Sequence, residues 1–279
     1  MLRNMQCGRY DLPLPDSDHR PLVMGILNVT PDSFSDGGQF HLLDSALTHA
    51  EQMIADGVDI IDIGAESTRP GVTALPPEEE LRRLLPVLYG LRDCGKPLSV
   101  DTRNPLVMRE ALLAGADMIN DVNGFRSAEA VAAVANSGCG LCVMHMQNDP
   151  ENMQRDPHYD DVVEDVAAFL QDAVGRLEAA GVDRARICVD PGFGFGKNLD
   201  HNVRLLRELR RLRERLQLPM LVGMSRKSMV GQLTGKPVVD RLAGSLAAAL
   251  AAAERGADII RVHDVAETVD ALKVWHALT

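Results

Sequence analysis

The stretch Gly57-Val58-Asp59-Ile60-Ile61 recurs along the chain and decides the predicted fold. Gly115-Ala116-Asp117-Met118-Ile119 and Gly256-Ala257-Asp258-Ile259-Ile260 repeat its pattern. In each copy we expect the glycine to end a helix in the left-handed conformation and the apolar residues to start a strand. Gly181-Val182-Asp183 repeats the opening of the pattern before a further apolar run. The repeat therefore predicts helices that lead directly into buried strands.

Strand-like and helix-like segments alternate along the chain. Short apolar runs predict eight strands, at residues 22–28, 58–63, 97–101, 117–121, 139–144, 186–190, 219–223 and 258–262. A helix is predicted after each strand, at residues 43–56, 78–93, 105–114, 127–137, 160–180, 200–215, 239–255 and 265–277. Eight βα units in 279 residues fit an α/β fold, the TIM (β/α)8 barrel. A doubly wound open sheet is the alternative, but such sheets usually stop at about five or six strands.

Composition limits the classes of function. The net charge of −11 argues against nucleic acid as a partner. No run approaches the roughly 18 apolar residues of a membrane span, and residues 1–20 lack the apolar core of a signal peptide, so we expect a cytoplasmic protein. Five scattered cysteines indicate reduced thiols. No composition break divides the chain, and we predict one barrel domain at 21–279 after an N-terminal extension at 1–20.

Polar residues follow every predicted strand at its carboxyl end, where TIM barrels carry their chemistry. We expect the opposite ends of the strands to be much plainer. Cations dominate the ends of the last two strands, which is the usual phosphate corner of this fold. The candidate cations of this corner are Arg226, Lys227, Arg261 and His263, and Arg69 on a preceding loop is a further clamp for an anion. For Arg226 alone, a solvated surface charge is an equally good interpretation.

A second group of strand-end residues is acidic or amide, and comprises Asp101, Asn120 and Asp190. With the cations placed elsewhere, a ligand with N–H donors suits these acceptors. A 2-amino-4-oxo heterocycle presents two adjacent N–H donors. The alternative is that Asp101 or Asp190 caps the following helix. Phe193 and Phe195 predict a wall for a flat ring. Spacing typical of a zinc or two-metal centre is missing, but Asn28 suits Mg²⁺, which relies on substrate phosphates.

Four motifs give the chain a specific resemblance to the dihydropteroate synthase family, and the resemblance covers nearly the whole sequence. The motifs are Ile26-Leu27-Asn28-Val29-Thr30-Pro31-Asp32-Ser33-Phe34-Ser35-Asp36, Glu66-Ser67-Thr68-Arg69-Pro70-Gly71, Asp190-Pro191-Gly192-Phe193-Gly194-Phe195-Gly196-Lys197 and Ser225-Arg226-Lys227-Ser228. The resemblance implies condensation of (7,8-dihydropterin-6-yl)methyl diphosphate with 4-aminobenzoate, which gives 7,8-dihydropteroate and pyrophosphate. One departure is Ala65, where the family more often has glycine; we expect no loss of activity.

The resemblance also implies roles for individual residues. The pterin would be held by Asp101, Asn120, Asp190 and Lys227, with Met144, Phe195 and Gly223 also at the substrate. The diphosphate would be held by Arg261 and His263 together with Asn28 and Mg²⁺, and Thr68 would also contact the substrate. The pocket for 4-aminobenzoate, which sulfonamides also occupy in this family, would be bordered by Ser225, Arg69, Phe34 and Pro70.

For the mechanism, we expect the C–O bond to break largely before the amine attacks. Asp36 would stabilise the cationic methylene group, while Mg²⁺, Arg261, His263 and Arg69 would stabilise the departing pyrophosphate. We expect residues 31–38 to form a mobile lid that orders when ligand binds. The alanine-rich helix from Leu242 to Arg255 would pack on the barrel or join a homodimer interface.

Two alternatives remain open at this level. A pterin-dependent methyltransferase of the same superfamily would keep Asp101, Asn120 and Asp190 but would have little use for Lys227 and Arg261. A paralogue that only binds pterins would be expected to lose parts of the loops that follow the first two strands. Both loops are intact in this sequence.

Overall fold

The chain folds as a (β/α)8 barrel in the computed structural model, which describes residues 2–16, 19–29, 39–66, 75–148 and 152–279. An antiparallel hairpin comes first, with β1 (Asn4–Cys7) and β2 (Tyr10–Pro13). The barrel strands are β3 (Leu22–Asn28), β4 (Ile60–Gly64), β5 (Leu98–Asp101), β6 (Met118–Asp121), β7 (Gly140–Met144), β8 (Ile187–Asp190), β9 (Leu221–Val222) and β10 (Ile259–Val262). The helices are α1 (Gln39–Ala55), α2 (Pro77–Leu91), α3 (Pro105–Leu113), α4 (Ala128–Ala135), α5 (Val162–Ala179), α6 (Leu199–Arg207), α7 (Leu209–Leu216), α8 (Ser228–Thr234), α9 (Leu242–Glu254) and α10 (Val265–Leu278).

The eight barrel strands are parallel and follow one another in chain order around the sheet. Strands β3 to β8 are neighbours in sequence, β10 pairs with β3, and β9 pairs with β10. A parallel bridge between Val189 and Met220 joins β8 to the segment just before β9. This bridge closes the sheet, so the TIM barrel is confirmed and the open sheet is excluded.

Several predicted helices differ from the observed ones, and α1 begins at Gln39 rather than at residue 43. The helix predicted at 200–215 is two helices, α6 and α7, because Glu208 leaves helical geometry at φ −96° and ψ 10°. The helix predicted at 239–255 starts only at Leu242, after a short 3₁₀ turn. Helix α8 was not predicted, since its seven residues contain a glycine and it ends at Gly235, which has a φ of +70°. In the described part of the chain, no helix has the length and apolarity needed to span a membrane.

The hairpin of residues 4–13 closes the amino-terminal end of the barrel. Its Met5 and Cys7 are fully buried and share an apolar cluster with Met24, Met118 and other inward residues of the strands. A hairpin was not predicted for residues 1–20, because two four-residue strands carry little periodic signal. The hairpin therefore supplies part of the core inside the barrel, separate from the larger core between strands and helices.

The three Gly-x-Asp repeats have a common structural role at this end of the barrel. Asp59 accepts the Val23 N–H (2.7 Å), Asp117 accepts the Leu98 N–H (3.1 Å) and Asp258 accepts the Met220 N–H (2.8 Å). Each carboxylate also binds an arginine, and these arginines are Arg20, Arg9 and Arg213 respectively. Our expectation that this end is much plainer is therefore wrong, because these carboxylates accept hydrogen bonds from neighbouring strands and form ion pairs with arginines there.

Gly8 provides a test of how tightly the hairpin fits. Its φ is +58°, and a Cβ at this position would lie 2.7 Å from Asp117 Cα. We expect Gly8→Ala to lower the thermal unfolding midpoint by about 5–10 °C, from left-handed strain plus the clash. The matched control is Gly95→Ala, where φ is +76° and no atom of the described residues lies within 4 Å of the added Cβ. Equal shifts for the two variants would show that the hairpin yields without cost.

Candidate active site

A buried network of charged and polar side chains lies inside the carboxyl end of the barrel. At its centre is Asp62 of β4, which is fully buried. The Arg261 Nε donates to Asp62 Oδ2 (2.6 Å), and the Ser99 hydroxyl donates to Asp62 Oδ1 (2.6 Å). Asn120 Nδ2 also donates to Asp62 Oδ2 (3.3 Å), while Arg261 Nη2 donates to Asp101 Oδ2 (2.8 Å). Four strands thus contribute to one network.

Two oxygen atoms of this network have no hydrogen-bond partner among the residues that the structure describes. They are Asp101 Oδ1 and Asn120 Oδ1, and both are buried. Asp101 does not cap the next helix, since Asn104 accepts the Leu106 N–H and caps α3 instead. Burial raises the pKa of Asp101 to about 7, although Arg261 opposes this shift. A buried acceptor without a partner is costly, so these two oxygens indicate a place for N–H donors of a ligand.

Cations and carboxylates share the same space rather than separate corners. Arg261 forms ion pairs with both Asp62 and Asp101. The expectation that the cations lie elsewhere is therefore wrong, because buried carboxylates need a positive partner. Arg226 is not available to a phosphate in this arrangement, since its Nε donates to Asp264 Oδ2 (3.0 Å) and its Nη2 binds the other oxygen.

Asp190 and Lys227 form the opposite side of the site. The Gly192 N–H donates to Asp190 Oδ1 (2.7 Å), so this carboxylate fixes a turn and does not cap α6, which Asn198 caps. Lys227 Nζ donates to the Phe193 carbonyl (2.6 Å) and lies 4.7 Å from the centre of the Phe195 ring. Burial lowers the pKa of Lys227 to about 8, while Asp190 acts in the opposite direction.

Gly223 leaves room between the two site cations. A Cβ on Gly223 would lie 3.6 Å from Arg261 Cβ and 3.8 Å from Lys227 Nζ. These are ordinary contact distances, so a side chain at this position would occupy the space beside both cations. The small residue therefore keeps Arg261 and Lys227 accessible from the strand end.

The glycine-rich loop after β8 is held from within by Lys197. Its Nζ donates to the carbonyls of Gly192 and Phe195 (both 3.0 Å) and contacts His145 Nδ1 (2.8 Å). Burial lowers the pKa of both Lys197 and His145. A Cβ on Gly192 would lie 1.8 Å from the His145 carbonyl oxygen, so only glycine fits there. Lys197 thus shapes the loop that presents Phe195.

Met144 and Phe195 lie at an apolar wall beside these polar groups. Met144 is buried in a small cluster with Val122, Met146 and Met153, and Phe195 packs against that cluster. Flexible thioethers and an aromatic ring suit the face of a planar heterocycle. The predicted wall for a flat ring is consistent with this cluster, whereas Phe193 is fully buried in the core between strands and helices.

Ser225 and His263 are in direct contact at the ends of β9 and β10. The backbone N–H of His263 donates to the Ser225 hydroxyl (3.2 Å), and the ring atom Nδ1 of His263 lies 3.1 Å from the same oxygen. Burial lowers the pKa of His263 to about 4, with Arg261 and Arg226 acting in the same direction. His263 is therefore neutral near pH 7 and offers a hydrogen bond rather than a positive charge.

Asn28 ends β3 at the rim of the site. Its Oδ1 lies near Gly64 of the adjacent strand, where an added Cβ would be 3.7 Å from this oxygen and 3.8 Å from Asp101 Cβ. Among the described residues, no group of three His, Cys, Asp or Glu side chains has metal-binding geometry. One amide oxygen fits Mg²⁺ only if phosphates and water complete its coordination. The residues present therefore fit a metal that arrives with a diphosphate.

Several predicted site residues lie outside the described ranges, and so does the proposed lid at residues 31–38. These residues are Phe34, Asp36, Thr68, Arg69 and Pro70. Sequence reasoning missed Asp62 and Ser99, which the structure places in the network. A signal for Asp62 was present, since a carboxylate in the apolar run Ile60-Ile61-Asp62-Ile63-Gly64 is costly to bury without a function or a partner.

Comparison with known proteins places this site in a family. The model of the pterin binding enzyme family matches residues 24–263. A dihydropteroate synthase of Neisseria meningitidis serogroup C is 50% identical over 277 residues, which cover 98% of this chain and 96% of that protein. The matched barrel and its site therefore define the class of pterin-binding enzymes.

Two solved structures narrow the class. The dihydropteroate synthase of Burkholderia cenocepacia, complexed with 7,8-dihydropteroate, is 51% identical with a TM-score of 0.88 and covers 99% of this chain and 96% of its own. The dihydropteroate synthase of Xanthomonas albilineans with 4-aminobenzoic acid is 50% identical with a TM-score of 0.92, covering 100% of this chain and 98% of its own. The chain belongs to the dihydropteroate synthase family of transferases.

The family resemblance assigns Lys227 to the pterin, and with that assignment its lowered pKa predicts a pH dependence of pterin binding. Its ammonium group is charged below about pH 8 and loses its charge above that value. We expect the affinity for 6-hydroxymethylpterin to fall as the pH rises through 8, by up to about tenfold per pH unit. Titration calorimetry from pH 6.5 to 9.5 measures this fall, and Lys227→Met should remove it.

Comparison of native and variant protein at each pH cancels the titration of the ligand itself. The matched control is Lys236→Met, because Lys236 is exposed and lies outside the network. An identical pH profile in Lys227→Met and native protein would mean that the charge of Lys227 is not used.

Proposed function

We propose that this barrel condenses (7,8-dihydropterin-6-yl)methyl diphosphate with 4-aminobenzoate, and that Asp101, Asn120, Asp190 and Lys227 hold the pterin. The observation that carries this assignment is the pair of buried oxygens without partners on Asp101 and Asn120. The amino group and ring N–H of a 2-amino-4-oxo heterocycle are adjacent donors that match two such acceptors. Lys227 donates a hydrogen bond to the carbonyl oxygen or to a ring nitrogen of the same heterocycle.

The chemistry breaks the bond between the methylene carbon and the diphosphate oxygen. The amine of 4-aminobenzoate then forms the new C–N bond and loses one proton. The diphosphate group departs as pyrophosphate, which is the second product. Within the described part of the chain, Arg261 directs two of its five N–H groups at Asp62 and Asp101, and we assign the others to the departing diphosphate. The neutral His263 adds a hydrogen bond there, and Ser225 borders the space for 4-aminobenzoate.

Magnesium is part of this proposal. Asn28 would hold Mg²⁺ through its amide oxygen, with diphosphate oxygens and water as the remaining ligands. Bound Mg²⁺ supplies charge neutralisation to the leaving group. For Asp36, Arg69, Thr68, Phe34 and Pro70, the proposed roles rest on the resemblance of their motifs to the family, as stated above.

We also propose a homodimer in the cytoplasm. Several apolar side chains are more than half exposed in the carboxyl-terminal quarter of the chain, and they are Leu233, Val238, Val239, Val274 and Leu278. Helix α9 buries only part of its surface, at Ser245, Ala249, Ala252 and Ala253. Exposed apolar residues near a helix of small residues support a contact between two copies.

The reaction is tested directly by pyrophosphate release. We expect release only when both (7,8-dihydropterin-6-yl)methyl diphosphate and 4-aminobenzoate are present, with dihydropteroate formed in equal amount. Coupled phosphate detection measures the released pyrophosphate, and chromatography of the pterin products measures dihydropteroate. Tight pterin binding without release would instead favour a binding protein, and methyl transfer to an acceptor would favour the other enzyme class.

Asn28→Ala tests the metal proposal. We expect the Mg²⁺ concentration for half-maximal activity to rise at least about tenfold, since the proposed protein ligand is lost. Binding of 6-hydroxymethylpterin, which has no phosphate, should stay within about twofold of native in calorimetry. Asn4→Ala in the hairpin is the control for loss of an asparagine. An unchanged Mg²⁺ dependence in Asn28→Ala would remove Asn28 from the metal site.

A further inference from the structure

We propose that Asp62 is a positioning residue that makes the site specific for a ring edge that carries an amino group. This inference rests on the proposed function, because it concerns the pterin half of the same site. Asp62 has no place in the roles assigned above, yet it contacts more of the network than any other residue described here. Its action is indirect, since it orients Asn120 and Arg261 rather than the ligand.

The carboxylate of Asp62 is held on both oxygens. Oδ1 accepts the Ser99 hydroxyl at 2.6 Å, and Oδ2 accepts Arg261 Nε at 2.6 Å and Asn120 Nδ2 at 3.3 Å. Neither oxygen is among the buried atoms without a partner. A fully buried carboxylate with three donors is fixed in position, so it imposes its geometry on its neighbours.

Asp62 decides which atom Asn120 presents to the ligand. Only the NH₂ group of an amide can face a carboxylate, because the amide oxygen would be repelled there. With Nδ2 directed at Asp62, the Asn120 Oδ1 faces away and has no partner. Asn120 therefore offers an acceptor to the ligand, although its side chain is equally able to offer a donor.

Asp62 also decides how Arg261 meets Asp101. The guanidinium is planar, so fixing Nε on Asp62 limits the directions of the other N–H groups. Nη2 then donates to Asp101 Oδ2 at 2.8 Å, and Asp101 Oδ1 remains without a partner. Through two different neighbours, Asp62 thus leaves two acceptors unpaired at the ends of the adjacent strands β5 and β6.

Two acceptors select the chemistry of the ring edge. A 2-amino-4-oxo pteridine brings N–H donors to both oxygens. In a 2,4-dioxo pteridine, a carbonyl replaces the amino group, so one acceptor of the site faces another acceptor. A site built to accept a hydrogen bond from a ligand binds an analogue without that donor with a much lower affinity. We expect native protein to bind 6-hydroxymethylpterin at least about 100-fold more tightly than the matching 2,4-dioxo compound.

Asp62→Asn tests this role. An amide at position 62 can donate as well as accept, so Asn120 is free to turn and present its NH₂ group. We expect the ratio of the two affinities to fall at least about tenfold, with the loss falling mainly on 6-hydroxymethylpterin. Titration calorimetry gives both dissociation constants. A merely structural role would weaken both compounds equally and leave the ratio unchanged, and that result would overturn the proposal.

Two further variants keep the test decisive. Asp258→Asn removes a buried carboxylate of the same kind at the other end of the barrel, where it binds Arg213, and should leave the ratio at the native value. If Asp62→Asn does not fold, Ser99→Ala removes one donor that fixes Asp62, and should lower the ratio about two- to fivefold. An unchanged ratio in folded Ser99→Ala would then refute the proposal.

The proposed function is tested separately from the role of Asp62. Pyrophosphate release by native protein tests the condensation and is independent of the affinity ratio. Native protein that releases pyrophosphate but shows the same ratio as Asp62→Asn contradicts the role of Asp62 alone. Native protein that neither releases pyrophosphate nor prefers the amino compound contradicts both.

Discussion

The site depends on the ion pairs that Arg261 makes with Asp62 and Asp101 inside the barrel. Two carboxylates and a guanidinium cannot be buried separately without a large loss of hydration energy. Together the three groups form ion pairs, but one carboxylate oxygen and one amide oxygen stay without partners among the described residues. The network thus pairs its charged groups within the barrel and keeps two acceptor oxygens for a ligand. Glycine at 223 and the apolar cluster around Met144 then define the space that remains.

The fold could be predicted because the Gly-x-Asp repeat and the apolar runs both indicate where the buried strands begin. Glycine ends the helix and the following residues enter a buried strand, and the structure has eight strands where the sequence indicated them. The hairpin at residues 4–13 and the helix α8 were missed, because elements of four and seven residues are too short to show a period. Their positions are determined by packing against distant segments, which local sequence does not encode.

The position of each site residue could be predicted from strand ends, but its partner could not. Sequence alone suggested separate groups of cations and carboxylates, whereas Arg261 reaches across the barrel to β4 and β5. Asp62 lies inside its strand rather than at the end, so a search of strand ends passed over it. The neutrality of His263 is likewise a property of burial, and becomes visible only in three dimensions.

The hairpin has a consequence for how the chain is made. Cys7 donates to the Asp117 carbonyl (3.7 Å) across a separation of 110 residues, and it also packs against Gly140 of β7. The hairpin is synthesised before the strands that it contacts, so its binding surface on β6 and β7 does not exist until about half of the chain has followed. The hairpin therefore waits for its partners, and its docking follows the formation of β6 and β7.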